Sequence, residues 1–149
     1  MTGSNDAAPG RADEQLLVDV KAAVRDVYRR IRTERPSGSV GEAALDVLAR
    51  VQKYGPFSMG RLAEDFRVSA PSMNQSVKRL ESAGYVRRAA DPADGRRVLI
   101  EATETGTALA VEARAERDAW LHRHLDALGD EDRAVLRRAA RLLRSFAEQ

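Results

Sequence analysis

Apolar positions divide the chain into six helical stretches and one pair of strands. Leu17, Val20, Val24, Val27 and Ile31 follow a 3-4-3-4 spacing, one stripe of a helix predicted from about Asp13 to Glu34. Such a stripe suits a seam along a second helix, and equally an ordinary face toward a core. Arg35-Pro36-Ser37-Gly38 ends it, and Ser39 with Glu42 forms an S-x-x-E capping box that opens a second helix through Val51. Ala44, Leu45, Leu48 and Val51 make its apolar face. Beyond Gly55-Pro56, Ser58 is placed to cap a short third helix with Leu62, Ala63 and Phe66 inward. Ser69 is placed to cap a fourth, with Pro71 in its first turn, Met73, Val77 and Leu80 inward, and Gly84 as the C-terminal cap.

From Tyr85 the pattern changes. Two short runs rich in β-formers and Arg flank Asp91-Pro92-Ala93-Asp94-Gly95, which predicts a β-hairpin with a positively charged tip. Thr103 can cap a fifth helix reaching about Leu128; Gly129 ends it, and Asp130 begins a sixth with Glu131 and Asp132 in its first turn. The sixth helix carries two apolar rows, Val135, Ala139, Leu142, Phe146 and Leu136, Ala140, Leu143, Ala147. That stripe is too wide for a helix lying alone on a surface. Residues 1–12, small and polar with Pro9 and Gly10, read as a disordered arm.

A length of 149 residues suits a single domain, or one domain extended by dimerisation helices. The expected division is one domain over 13–149, a lobe over 39–103 flanked by helical segments at 13–34 and 104–149. Only 5% of residues are aromatic, so the core is aliphatic. The net charge of +2 says little, but residues 67–97 hold seven Lys/Arg against three acids, a local +4. The absence of Cys excludes disulfides, thiolate metal sites and thiol redox sensing. No apolar run approaches a membrane span, and a cytoplasmic location is expected.

The third and fourth helices are joined only by residues around Arg67-Val68-Ser69, which is the plan of a helix-turn-helix with its second helix in the major groove of DNA. Removing the apolar positions of the fourth helix leaves Ala70, Ser72, Asn74, Gln75, Lys78 and Arg79 exposed. Asn and Gln amides can pair with adenine N6 and N7, while Lys and Arg reach phosphate or guanine. A generic solvated helix face reads the same way on this helix alone. The hairpin adds Arg87, Arg88, Asp94, Arg96 and Arg97. A guanidinium at a narrow hairpin tip fits the minor groove, and Asp94 could hold Arg96 in a planar ion pair. Arg87, Arg88, Arg97 and Lys78 are expected to anchor phosphates.

These residues carry a family resemblance. From about residue 40 to 106 the chain resembles the MarR family of winged-helix regulators. The matches are Leu62-Ala63, Val68-Ser69, Leu80-Glu81-x-x-Gly84-Tyr85-Val86, Asp94-x-Arg96-Arg97 and Thr103-x-x-Gly106. The resemblance implies a mainly α fold, a winged helix-turn-helix of about six helices plus a small β-hairpin wing. It implies an obligate homodimer on double-stranded DNA, with the first, fifth and sixth helices interlocked. It also implies that Arg96 enters the minor groove with Asp94 fixing it, and, by family habit, repression. Three positions depart from the pattern. Asn74-Gln75 stands where Thr-Arg is common, Arg67 occupies a turn position where Gly is usual, and Ala102 replaces Leu before Thr103.

No other chemistry stands out. His122 and His124 are two apart on a helix and point to different sides, so no metal site and no cofactor is expected. Gly-rich phosphate loops and G-x-S-x-G elbows are missing, and an enzyme is not expected. A small anionic or aromatic effector is a further expectation. Tyr28 and Arg29 on the first helix, and Trp120 and His124 four apart on the fifth, could line its cleft, though each also suits a dimer interface. The rival reading is a winged helix used for protein contact or ligand sensing, without specific DNA binding.

Overall fold

A computed structural model of the chain describes residues 10–34 and 40–148. Six helices and three short strands are laid out in the order α1 (Arg11–Thr33), α2 (Glu42–Tyr54), β1 (Phe57–Ser58), α3 (Met59–Asp65), α4 (Ala70–Ser82), β2 (Val86–Ala90), β3 (Val98–Ala102), α5 (Glu104–Asp126) and α6 (Asp130–Ala147). They fall into two compact units, residues 1–33 and 34–149. The expected arm at residues 1–12 lies mostly outside the described residues, and α1 already begins at Arg11.

The lobe is assembled around α2, α3 and α4. Leu48, Leu62, Val77 and Leu80 are wholly buried, with Ala44, Val47, Val51, Met73, Val86, Ile100 and, from α5, Ala110 completing the aliphatic core. The apolar faces predicted for α2 and α4 are the ones the fold buries, because a helix repeat of 3.6 residues sets them on one side. Arg50 ties α2 to α3 at the rim. Its guanidinium donates to Asp65 at 2.6 and 3.1 Å and stacks over Tyr54 and Phe57. Lys53, by hydrogen bonding and charge, holds the Tyr54 phenol below its ordinary pKa.

The strands form one antiparallel sheet in the order β1-β3-β2. The hairpin β2–β3 is as expected; β1 is an addition, pairing Phe57 with Ile100 and Ser58 with Leu99. Two residues between a helix break and a helix cap are too few for an alternating pattern to show. The start of α2 also differs. Its N-cap is Gly41 at φ 95°, and Glu42 is already helical. Ser39, expected to make the cap, lies outside the described residues, and Glu42 sits too early to complete an S-x-x-E box.

Caps elsewhere follow the sequence. Ser58, Ser69 and Thr103 each accept a backbone N–H from the third residue onward, those of Arg61, Ser72 and Gly106. Helices α3 and α4 end in the same way. Val68 N–H reaches back to Ala63 O and Arg67 N–H to Glu64 O; Tyr85 N–H reaches Leu80 O and Gly84 N–H reaches Glu81 O. Both ends are Schellman motifs, which need a left-handed residue after the cap. Gly84 supplies it at φ 76° and Arg67 at φ 51°.

Candidate nucleic-acid interface

Helix α4 presents the face that its sequence predicts. Ala70, Ser72, Gln75, Lys78 and Arg79 are exposed and Asn74 is half-buried, while Met73, Val77 and Leu80 point into the core. The Ser69 and Ser72 hydroxyls lie 3.0 Å apart, and Ser69 also caps the helix. Gln75, Lys78 and Arg79, with Val40, Ser82 and Ala83, line an open groove of about 520 Å³ along the helix.

The wing's strand β2 packs against α4. The wing loop is closed by Asp91 N–H to Arg97 O at 2.9 Å and Arg97 N–H to Asp94 O at 2.8 Å. Two carboxylates shape the turn by accepting nearby backbone N–H groups, Asp91 from Ala93 at 2.8 Å and Asp94 from Arg96 at 3.1 Å. Asp94 thus holds the backbone of Arg96 and not its guanidinium, which corrects the expected planar ion pair. A short Asx turn satisfies the carboxylate locally and leaves the Arg96 side chain outward. Among the described residues Lys78, Arg79, Arg96 and Arg97 make no ion pair.

Arg87 and Arg88 behave differently. Arg87 Nη2 lies 2.9 Å from Glu101, its direct partner across the β2–β3 ladder. Arg88 Nε donates to Glu81 at 3.2 Å, joining β2 to the last turn of α4. Both carboxylates escaped the sequence reading. Glu81 stands within Leu80-Glu81, but its partner depends on how the strand docks, and Glu101 needs the hairpin register.

The base of the wing is knotted to the start of α5. Gly84 O accepts the hydroxyls of Thr103 at 2.6 Å and Thr105 at 3.1 Å, and Tyr85 O accepts Thr103 N–H at 3.0 Å. Gly106 packs directly on Tyr85, and a Cβ there would overlap the Tyr85 carbonyl. This explains physically why Gly84-Tyr85 and Thr103-x-x-Gly106 occur together. Ala102, which stands in place of the usual Leu, packs half-buried against the core.

The residues considered for an effector divide between the two units. On α5, the Trp120 ring is buried and lies 4.1 Å from that of His124, whose Nδ1 is 2.8 Å from Trp120 O. On α1, Tyr28 accepts from Arg32 at 2.8 Å and Arg29 pairs with Asp26 at 3.3 Å. Among the described residues no cluster of three metal-ligating side chains occurs, and no helix is long and apolar enough to cross a membrane.

A polar recognition helix, a tight turn before it and a basic hairpin after it define a winged helix-turn-helix of the kind that binds DNA. A sequence profile of the MarR family matches residues 39–97. An HTH-type transcriptional regulator of Mycobacterium tuberculosis is 35% identical over 138 residues, covering 93% of this chain and 96% of that one. The HTH-type transcriptional repressor MdtR of Bacillus subtilis is 25% identical over 126 residues, 82% of this chain and 81% of its own. Among solved structures, Streptococcus pneumoniae FabT in complex with DNA superposes with a TM-score of 0.75 at 18% identity, covering 91% of this chain and 98% of that one. The chain belongs to the MarR family of transcriptional regulators, which are not enzymes.

Proposed function

We propose that this regulator is a repressor that binds a near-palindromic operator as a homodimer. Asn74 and Gln75 read base edges in the major groove, and Arg96 reads the narrow minor groove. Lys78, Arg79 and Arg97 hold phosphates, with Ser69 and Ser72 at the helix start beside the backbone. Arg87, already paired with Glu101, reaches phosphate only by leaving that partner. The observation that carries the reading is that, among the described residues, the cations Lys78 and Arg79 on the amide-bearing helix α4 and Arg96 and Arg97 at the wing tip make no ion pair. A homolog named as a repressor, and a fold neighbour crystallised on DNA, support it.

Dimerisation is supported by α6, whose Val135, Leu142 and Phe146 are exposed on one stripe. Two recognition helices related by a twofold axis would read half-sites about one DNA turn apart. A small aromatic or anionic effector acting at Trp120–His124, or at Tyr28 and Arg29, would shift this spacing by binding one arrangement better than the other. Trp120 is the single tryptophan, so its fluorescence reports such binding directly, with benzoate as the first probe.

The test is fluorescence anisotropy on a duplex enriched by the protein from a random library, against a scrambled duplex, over a salt series. Preferential binding that weakens linearly in log[salt] is expected. Equal affinity for both duplexes would overturn specific readout. Loss of all binding at low salt would favour a protein-contact role for the wing.

A further inference from the structure

The recognition helix and the wing are separate elements, yet both must meet the duplex at once. Among the described residues one ion pair joins them outside the core. Arg88 Nε lies 3.2 and 3.3 Å from the two carboxylate oxygens of Glu81. Glu81 closes the last turn of α4, and Arg88 is the middle residue of β2. Strand alternation explains the contact. Arg88 is two residues from the buried Val86 and so shares its side, the side on which β2 packs against α4. Arg87 points to the opposite side, where Glu101 holds it.

We propose that the Glu81–Arg88 pair is a strut that sets the angle of the wing to the recognition helix, and that Arg88 is a positioning residue, not a phosphate anchor. The inference rests on the DNA-binding reading above. Exposed ion pairs add little to folding stability, so the strut is not there to hold the lobe together. Its effect lies in the coupling of two contacts. Once α4 is seated in the major groove, Arg96 meets the minor groove at an effective concentration set by how rigidly the wing is aimed. A wing free to swing still touches phosphate, but it seats less often in the groove that its sequence match provides.

The pair offers a test in which charge and geometry predict opposite patterns. Glu81→Gln removes a negative charge beside the duplex and frees Arg88. Arg88→Gln removes a positive charge and leaves Glu81 unneutralised. By charge alone, the first variant strengthens binding to every duplex and the second weakens it. A strut predicts instead that the ratio of affinities, enriched over scrambled duplex, falls several-fold in both. The exchanged pair Glu81→Arg with Arg88→Glu restores the ratio, whereas Arg88→Lys, which keeps charge but loses the Nε donor, restores it only in part. Thermal unfolding near that of the wild type accompanies each variant.

Two results would overturn the strut. The first is a uniform loss in Arg88→Gln on both duplexes, with a salt slope shallower by about one, which makes Arg88 a phosphate contact. The second is an unchanged ratio in both single variants. Wild-type protein that prefers no duplex defeats the DNA-binding reading and the strut with it, whereas wild-type preference with unmoved variants defeats the strut alone.

Discussion

The winged lobe and helix α6 treat their apolar residues in opposite ways. In the lobe, Leu48, Leu62, Val77 and Leu80 are at 0% exposure, enclosed by α2, α3, α4, the start of α5 and the sheet of their own chain. On α6, Val135 is 61%, Leu142 53% and Phe146 65% exposed. Helix α1, taken by itself, has no buried residue, with Leu16, Leu17 and Val18 all exposed. Singly exposed apolar side chains are ordinary, but a continuous stripe along a whole helix is not. The contrast separates a reading head that is complete within one chain from helices built to be covered, and the proposed homodimer supplies the cover.

That contrast can be broken at either end. The largest effect is expected in the lobe. Leu48→Ala should lower stability by about 2–5 kcal/mol, because its cavity has no neighbour free to fill it. The shift in denaturant midpoint should persist at saturating protein concentration. On α6, Leu142→Asp with Phe146→Asp should leave the lobe folded but raise the self-association Kd at least about tenfold, roughly 1.4 kcal/mol or more. Sedimentation velocity reads this directly, and an unchanged mass distribution would remove α6 from the interface.

Within the lobe, smaller effects separate reading from folding. Arg96→Ala should weaken operator binding by about 1–2 kcal/mol with little change in thermal unfolding, because no described residue pairs with its side chain. Unaltered anisotropy titrations would sink the minor-groove role. The smallest effect compares the two Schellman ends. Left-handed backbone costs an L-residue about 1–2 kcal/mol, offset in part by the unfolded-state entropy of glycine. Arg67→Gly should therefore stabilise the protein by about 0.5–1 kcal/mol in chemical denaturation. It should also reduce the salt slope only if Arg67 reaches phosphate.

Much of this was legible in the residues. Ser58, Ser69 and Thr103 announced their helices, and the buried positions of α2 and α4 followed from a 3.6-residue repeat. Arg67 was marked by standing where glycine is usual, and its φ of 51° bears that out. Ser39 was misleading because a capping box is a short pattern that a nearby glycine can displace: Gly41 takes the cap. Asp94 was assigned the right neighbour and the wrong atom. A carboxylate two residues before an arginine finds the backbone N–H closer than the guanidinium.

What the sequence determined by itself are features that live within four or five residues: where helices begin and end, which faces are apolar, and where the wing turns. The tertiary structure alone decided which acid holds which arginine, that Phe57–Ser58 joins the sheet, and that Gly106 must lack a side chain where α5 meets Tyr85. The reason is one of range. Caps and turns are satisfied by the adjoining backbone, whereas Glu81 and Arg88 meet only after a helix, a turn and a strand have docked on a common core.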